Sequence, residues 1–227
     1  MIDASDQAVK VKLCGLMSSQ DVSVARDAGA DYIGFVLAPS RRKVAPDDVH
    51  HWLHDASSQE STAACTPVLV LVDESLEQVV RYTQQTGVRH VQLCGDETPE
   101  QCAQLRNVYG LVVWKAWGVR GTAQDRELIQ YSGAVDALLL DRYADHTRGG
   151  TGQPFAWEQI DEIHALVPQM PLIIAGGLTA ERVTSLLSHN HPFAVDVSSG
   201  IETAGSKDPQ KMSAFVQTVR SVSHVSR

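Results

Sequence analysis

The sequence predicts a closed (β/α)₈ TIM barrel, and three observations carry that prediction. A beat of strand, loop, helix and short turn recurs eight times along 227 residues, a length at which α/β barrels commonly form one domain. The strand candidates are short runs apolar on both faces, such as Leu138-Leu139-Leu140 and Leu172-Ile173-Ile174, as expected of parallel strands covered by helices. Polar and reactive residues gather just after strand ends, where a barrel keeps its working face, while the opposite loops are short and plain. An open doubly wound sheet is the runner-up, but its usual GxGxxG turn does not follow the first strand. Residues 1–227 are therefore read as a single barrel domain with parallel strands and outer helices.

The first strand is Val9 to Cys14, with Lys10, Lys12 and Cys14 on one face and Val9, Val11 and Leu13 on the other. Gly15 ends it, and Ser19 to Ala28 has helical spacing closed by Gly29. Tyr32 to Leu37 is the second strand, and Pro46 opens a helix through Ala56. Pro67 to Val72, His90 to Cys94 and Leu111 to Trp117 are the next strands, with helices Ser75 to Gln85 and Pro99 to Asn107 between them. Gly121 to Tyr131 reads as a helix, Ala137 to Asp141 as a strand and Phe155 to Val167 as a helix. Strands Pro171 to Ala175 and Phe193 to Val197 complete the set, with helices Thr179 to Ser188 and Lys207 to Val222. Ala56 to Ala64 is the most linker-like stretch but is too short to divide cores, and both termini are expected to fray.

A formal charge of −8 argues against nucleic-acid or anionic-membrane surfaces, which need clustered Lys and Arg. No apolar run approaches the ~18 residues of a membrane span, and Met1 to Gln7 is polar and acidic rather than a signal peptide. Cys14, Cys65, Cys94 and Cys102 form no CxxC pair and no zinc spacing, which fits a reducing, cytoplasmic setting. The nine histidines make no HExxH, and His50, His51 and His54 read as a solvated helix face.

Gly176-Gly177-Leu178 follows the seventh strand and Ser198-Ser199-Gly200 the eighth. Backbone N–H groups and hydroxyls at those two adjacent loops suit a phosphate, although glycines also serve plain tight turns. Gly149-Gly150-Thr151-Gly152 after the sixth strand suits a lid, and no Gly-Lys-Ser/Thr makes it a P-loop. Asp141 shares the face of Ala137 and Leu139, so its carboxylate reaches the barrel mouth, where apolar surroundings would raise its pKa toward that of a general acid. Asp145 on the next loop reads as solvated.

Cys14 is the complementary base, its thiol expected to be acidified by Lys12 one layer deeper. A closed barrel sets the first strand beside the eighth, so Lys12 and Asp196 are expected to form a buried pair under the thiol. Arg42, with Arg41 beside it, follows the second strand and suits a bidentate clamp for a substrate carboxylate, although three adjacent cations are often only a solvated loop.

Together these stretches resemble the phosphoribosylanthranilate isomerase family of tryptophan biosynthesis. The resemblance runs from Val11-Lys12-Leu13-Cys14-Gly15 through Gly29-Ala30-Asp31-Tyr32-Ile33-Gly34-Phe35 and Ser40-Arg41-Arg42 to Leu139-Leu140-Asp141 and Gly149-Gly150-Thr151-Gly152. It continues with Ala175-Gly176-Gly177-Leu178, Val195 to Glu202 and Lys207-Asp208. It implies an Amadori rearrangement of N-(5'-phosphoribosyl)anthranilate to the aminoketose without cofactor or metal. Asp141 would be the acid and Cys14 the base. Arg42 would hold the anthranilate carboxylate, and Gly176, Gly177, Ser198, Ser199 and Gly200, with Asp196, would line the phosphorylated substrate's site. The expected partner is that small molecule, with the chain a monomer or homodimer and no nucleic acid or membrane engaged. One departure stands out: the family's Gln-Leu-His-Gly is Gln92-Leu93-Cys94-Gly95 here, so a thiol replaces an imidazole, and altered substrate positioning is the expected consequence. The alternatives are the histidine-pathway ribonucleotide isomerase, which has aspartate at the place of Cys14, and a non-catalytic phosphate-binding barrel.

Overall fold

A computed structural model describes residues 8–54, 65–121, 123–142 and 159–225. Eight strands close in chain order: β1 Lys10–Cys14, β2 Tyr32–Val36, β3 Thr66–Leu71, β4 His90–Leu93, β5 Val112–Val119, β6 Ala137–Arg142, β7 Leu172–Ile174 and β8 Ala194–Val197. Every neighbouring pair is parallel, including β1 with β8. The helices are α1 Ser19–Asp27, α2 Pro46–His54, α3 Leu76–Thr86, α4 Pro99–Asn107, α5 Gln159–Leu166, α6 Ala180–Leu187 and α7 Pro209–Val225. None of them is long and apolar enough to cross a membrane. The predicted linker 56–64, the 149–152 loop, Asp145 and the first turn of the helix expected from Phe155 lie outside the described residues.

Local chemistry explains most element boundaries. Ser18, Ser75, Thr98 and Thr179 each accept a first-turn backbone N–H, and Thr98 with Gln101 forms a reciprocal capping box. Gly87 ends α3 in the left-handed region that glycine reaches without strain.

Two expectations change. Ala123–Tyr131 is a 3₁₀ helix rather than an α-helix. Its buried residues, Asp125, Leu128 and Tyr131, recur every three positions, which is the 3₁₀ repeat. The Asp125 carboxylate pins the segment by accepting from Trp117 Nε1 (2.9 Å) and Gly121 N (2.8 Å). The last helix starts at Pro209, because Glu202–Thr203 and Ser206–Lys207 first pair as a small antiparallel ribbon, and it runs on through Val225.

Alternation sorts each strand between two cores. Val11, Leu13, Ile33, Phe35, Val91, Leu93, Leu138 and Leu140 face the helices and are fully or almost fully buried. Val68, Trp114, Ala137, Leu139, Ile173, Ala175 and Ala194 fill the barrel interior. At the strand beginnings Tyr32 packs edge-on against Trp114 (4.9 Å between centroids), with His90 and Phe193 beside them. This aromatic floor closes one end, so a ligand has the other.

Candidate active site

The open end carries the inward residues of the strand ends. In β1 these are Lys12 and Cys14, because Val11 and Leu13 are committed to the outer core. Lys12 is wholly buried and its Nζ lies 2.8 Å from Asp196 Oδ1, the expected pair, fixed because Lys12 and Asp196 are register partners across β1 and β8. The same ammonium acts on the Cys14 thiol, favouring its charged form. Burial alone would lower the Lys12 pKa, but Asp196 and Cys14 hold it above the ordinary lysine value.

Cys14 itself corrects an expectation. Burial pushes its thiol above the ordinary value, and Asp196 adds to that. The lowering by Lys12 and Lys207 offsets only part. Asp196 sits beneath the thiol as the counterion of Lys12.

Gly34 of β2, opposite Cys14 in register, makes the cluster possible. A Cβ there would lie 2.8 Å from Cys14 Sγ and 3.1 Å from Lys12 Nζ. A glycine between Ile33 and Phe35 in a buried strand was the available sequence signal for such a close approach.

Asp141 ends the inward row Ala137, Leu139, Asp141 and is half-buried. Its strand neighbour in register is Gly118, which has no side chain to cover the carboxylate. β6 lies opposite β1–β2 in the closed order, so acid and base candidates stand at the same end on different sides of the mouth.

Arg42 lies over Gly15, whose left-handed φ of 76° and lack of a side chain both accommodate it. Its Nε and Nη2 donate to Glu202 Oε1 (2.6 Å) and Oε2 (3.2 Å). Arg41 Nη2 reaches Oε2 at 2.6 Å and Lys207 Nζ reaches Oε1 at 2.9 Å. Burial alone would raise the Glu202 carboxyl, but Arg42 and Lys207 hold it down to about 2. Burial pulls Lys207 below its ordinary value in spite of Glu202.

At the two loops expected to take phosphate, Gly176 and Gly177 are left-handed in succession (φ 87° and 66°), and Ser199–Ile201 forms a 3₁₀ turn. Gly200 is held against the Leu178 carbonyl, a contact that any Cβ would break, so the β7 and β8 loops meet face to face. Ser198 Oγ donates to the Cys14 carbonyl (3.1 Å), joining the β8 loop to the end of β1.

Cys94 continues the inward face of β4 beyond Gln92. Burial pushes its thiol up to about 12, and Gln92 Nε2 donates to it at 3.3 Å. Gln92 Oε1 is the buried side-chain atom left without a partner among the described residues. Glu202, Lys207, Gly34 and Gln92 stand in stretches quoted from the sequence, where none of them was given a role. Glu202 gives no local hint of arginine partners some 160 residues away.

The chain matches the family model described as N-(5'phosphoribosyl)anthranilate (PRA) isomerase over residues 11–218. The N-(5'-phosphoribosyl)anthranilate isomerase of Geobacillus thermodenitrificans (strain NG80-2) is 39% identical over 206 residues, 90% of each chain. The solved phosphoribosyl anthranilate isomerase from Thermus thermophilus superposes with a TM-score of 0.80 at 30% identity, over 94% of this chain and 99% of that one. A phosphoribosyl anthranilate isomerase in complex with reduced 1-(o-carboxyphenylamino)-1-deoxyribulose 5-phosphate superposes with a TM-score of 0.78 at 29% identity, with the same coverage.

Proposed function

Because this chain belongs to the N-(5'-phosphoribosyl)anthranilate isomerase family and is an isomerase of tryptophan biosynthesis, we propose that Cys14 and Asp141 are the base and acid of its reaction. The observation that carries this reading is their placement: both end inward rows at the open mouth, on opposite sides of it. A proton from the Asp141 carboxyl goes to the furanose ring oxygen as the C1–O bond breaks. The nitrogen lone pair then forms the C1=N bond of a protonated Schiff base. Cys14 takes the C2 proton, and the electrons of the C–H bond flow through C1 to nitrogen, giving an enolamine. The enol hydroxyl then releases its proton to solvent as C1 takes one from it, leaving the ketone, and the proton released by Cys14 replaces, through solvent, the one that Asp141 gave up. Bonds broken and formed balance within one molecule, so this scheme needs no cofactor or metal.

The raised thiol fits this order of events. In the ligand-free site burial favours the neutral thiol, and the cationic Schiff base supplies further positive charge that favours thiolate. Once formed, a thiolate of raised pKa is the stronger base toward a carbon acid. Gly176, Gly177, Ser198, Ser199 and Gly200 hold the phosphate through their loops, and Arg42 receives the anthranilate carboxylate. A reducing cytoplasm is the setting in which a working thiol and three further free cysteines persist.

Turnover of freshly prepared phosphoribosyl anthranilate in a coupled assay tests the assignment. Cys14→Ser and Asp141→Asn each lower kcat by roughly 10²–10⁴-fold, the usual worth of a positioned acid or base. Full activity in either variant would remove that residue from its role.

A further inference from the structure

We infer that Glu202, backed by Lys207, is a positioning residue that aims the Arg42 guanidinium at the substrate carboxylate. The inference rests on the reading of Arg42 as the carboxylate clamp and adds what orients it. A guanidinium carries five N–H donors in a rigid plane, with one bidentate edge at Nε/Nη2 and another at Nη1/Nη2. Glu202 takes the first edge, Nε at 2.6 Å and Nη2 at 3.2 Å. The end-on edge is thereby pointed away from Glu202 and kept for a second carboxylate. Glu202 is the holder of the arginine and not a competitor for the ligand.

Charge supports the same role. The two Glu202 oxygens accept from Arg41, Arg42 and Lys207 together, four donors in all, which fills the acceptor capacity of one carboxylate. Three cations on one anion leave a net positive cluster. A lone Glu202 would have cancelled Arg42, but Lys207 restores the charge that attracts an anionic ring substituent. The side chains of Glu202 and Lys207 are 5% and 0% exposed, so solvent screens this arrangement little.

The backbone is built to hold the two residues together. Glu202 and Lys207 are register partners in the ribbon, across a two-residue loop in which Ala204 and Gly205 are both left-handed (φ 51° and 87°), the hairpin geometry that favours Asn-Gly or Gly-Gly. An alanine in that region is strained, and strain of this kind persists where surroundings fix it. Lys207 Nζ also donates to the Ser198 carbonyl at 2.9 Å, and Ser198 Oγ to the Cys14 carbonyl. Lys207 is thus held by the loop after β8 as well as by Glu202, so the carboxylate that aims Arg42 has a fixed support.

Calorimetric titration with two stable ligands tests this: the reduced product analogue, 1-(o-carboxyphenylamino)-1-deoxyribulose 5-phosphate in reduced form, and the same molecule without its ring carboxylate. Wild type prefers the carboxylated ligand, and Arg42→Gln abolishes the preference. Glu202→Gln weakens the carboxylated ligand by about 10- to 100-fold, the worth of a charge-assisted hydrogen bond, and leaves the decarboxylated one unchanged, which also shows that the site is folded. In turnover the same variant raises KM more than it lowers kcat. If Glu202→Gln alone does not fold, the pair Glu202→Gln with Lys207→Met, which removes both charges, takes its place with the same expected preference loss. Equal weakening of both ligands, or of neither, overturns the positioning role. If Arg42→Gln keeps the preference, the clamp assignment falls and the positioning role with it. If Arg42→Gln removes the preference and Glu202→Gln keeps it, only the positioning role falls.

Discussion

Lys12 and Lys115 offer a controlled contrast within one molecule. Both are buried and both pair with a carboxylate, Lys12 with Asp196 at 2.8 Å and Lys115 with Glu97 at 3.2 Å. They differ in where the remaining donors go. Lys115 lies on the helix-facing side of β5 and is filled by the carbonyls of Gly95 (2.8 Å), Ala116 (3.1 Å) and Leu93 (3.3 Å). Glu97 in turn accepts from Asp73 N and Gly95 N, so this pair ties the loops after β3 and β4 to β5. Lys12 lies inside the barrel and has the Cys14 thiol as its second partner. The same side chain at the same depth is a tie in one place and a tuner in the other, and the partner set decides which.

The largest effects come from cutting each pair. Lys12→Met leaves Asp196 buried and unpaired, and Lys115→Met does the same to Glu97, so each costs about 3–5 kcal/mol, or roughly a 10 °C fall in Tm by thermal unfolding for a chain of this size. Their kinetics separate them. Per folded molecule, Lys115→Met keeps the wild-type kcat/KM, and Lys12→Met loses it. The sign of the pH effect follows from Cys14, whose folded pKa is raised. The rising limb of kcat/KM reports the free enzyme's base, so in wild type it lies above the ~8.5 of an ordinary thiol. Removing Lys12, which pulls that value down, moves the limb to still higher pH, and Lys115→Met leaves it in place. A shift of the limb in both variants, or in neither, would erase the contrast.

Gly34→Ala tests whether the tuner needs contact. The added Cβ meets both Cys14 Sγ and Lys12 Nζ, and overpacking of this kind costs about 1–3 kcal/mol. Displacing the thiol by a fraction of an ångström lowers kcat by up to about 10²-fold, read by steady-state kinetics. The comparable change beside the other pair, Gly95→Ala, would collide with Asp73 and lower Tm without moving the pH limb.

Particular residues show how far the sequence carries. The Lys12–Asp196 pair was legible because barrel closure sets β1 beside β8, and the period of two then puts both side chains on one face. Asp141 was placed at the mouth by the same alternation. The direction of the Cys14 shift was not legible, since it is decided by how much protein surrounds the thiol, a tertiary quantity. The 3₁₀ segment was missed because Asp125, Leu128 and Tyr131 suit either helical period until the Trp117 and Gly121 contacts are known. Arg42 was legible as a cation at a strand end, but the carboxylate that aims it comes from a ribbon the chain reaches only after β8.

Smaller effects sharpen the picture. Glu202, held at about 2, contributes stability that is fully present above its unfolded value of about 4.3 and is lost as pH falls through that range toward 2. Acid titration of Tm shows this loss in wild type and a flatter curve in Glu202→Gln. Least of all, Cys94→His returns a donor to the mouth and improves turnover or affinity by about fivefold, the worth of one neutral hydrogen bond. No change in either would detach Cys94 from substrate positioning.

The measurement that bears most directly on the acid/base pair is the primary isotope effect with substrate deuterated at C2, compared across wild type, Cys14→Ser and Asp141→Asn. With Cys14 as base, Cys14→Ser slows C–H cleavage until it limits turnover, and the isotope effect rises to its full value. With Asp141 as acid, Asp141→Asn makes ring opening limiting, and the effect falls toward unity. The reverse pattern, or the same isotope effect in all three proteins, would contradict the assignment.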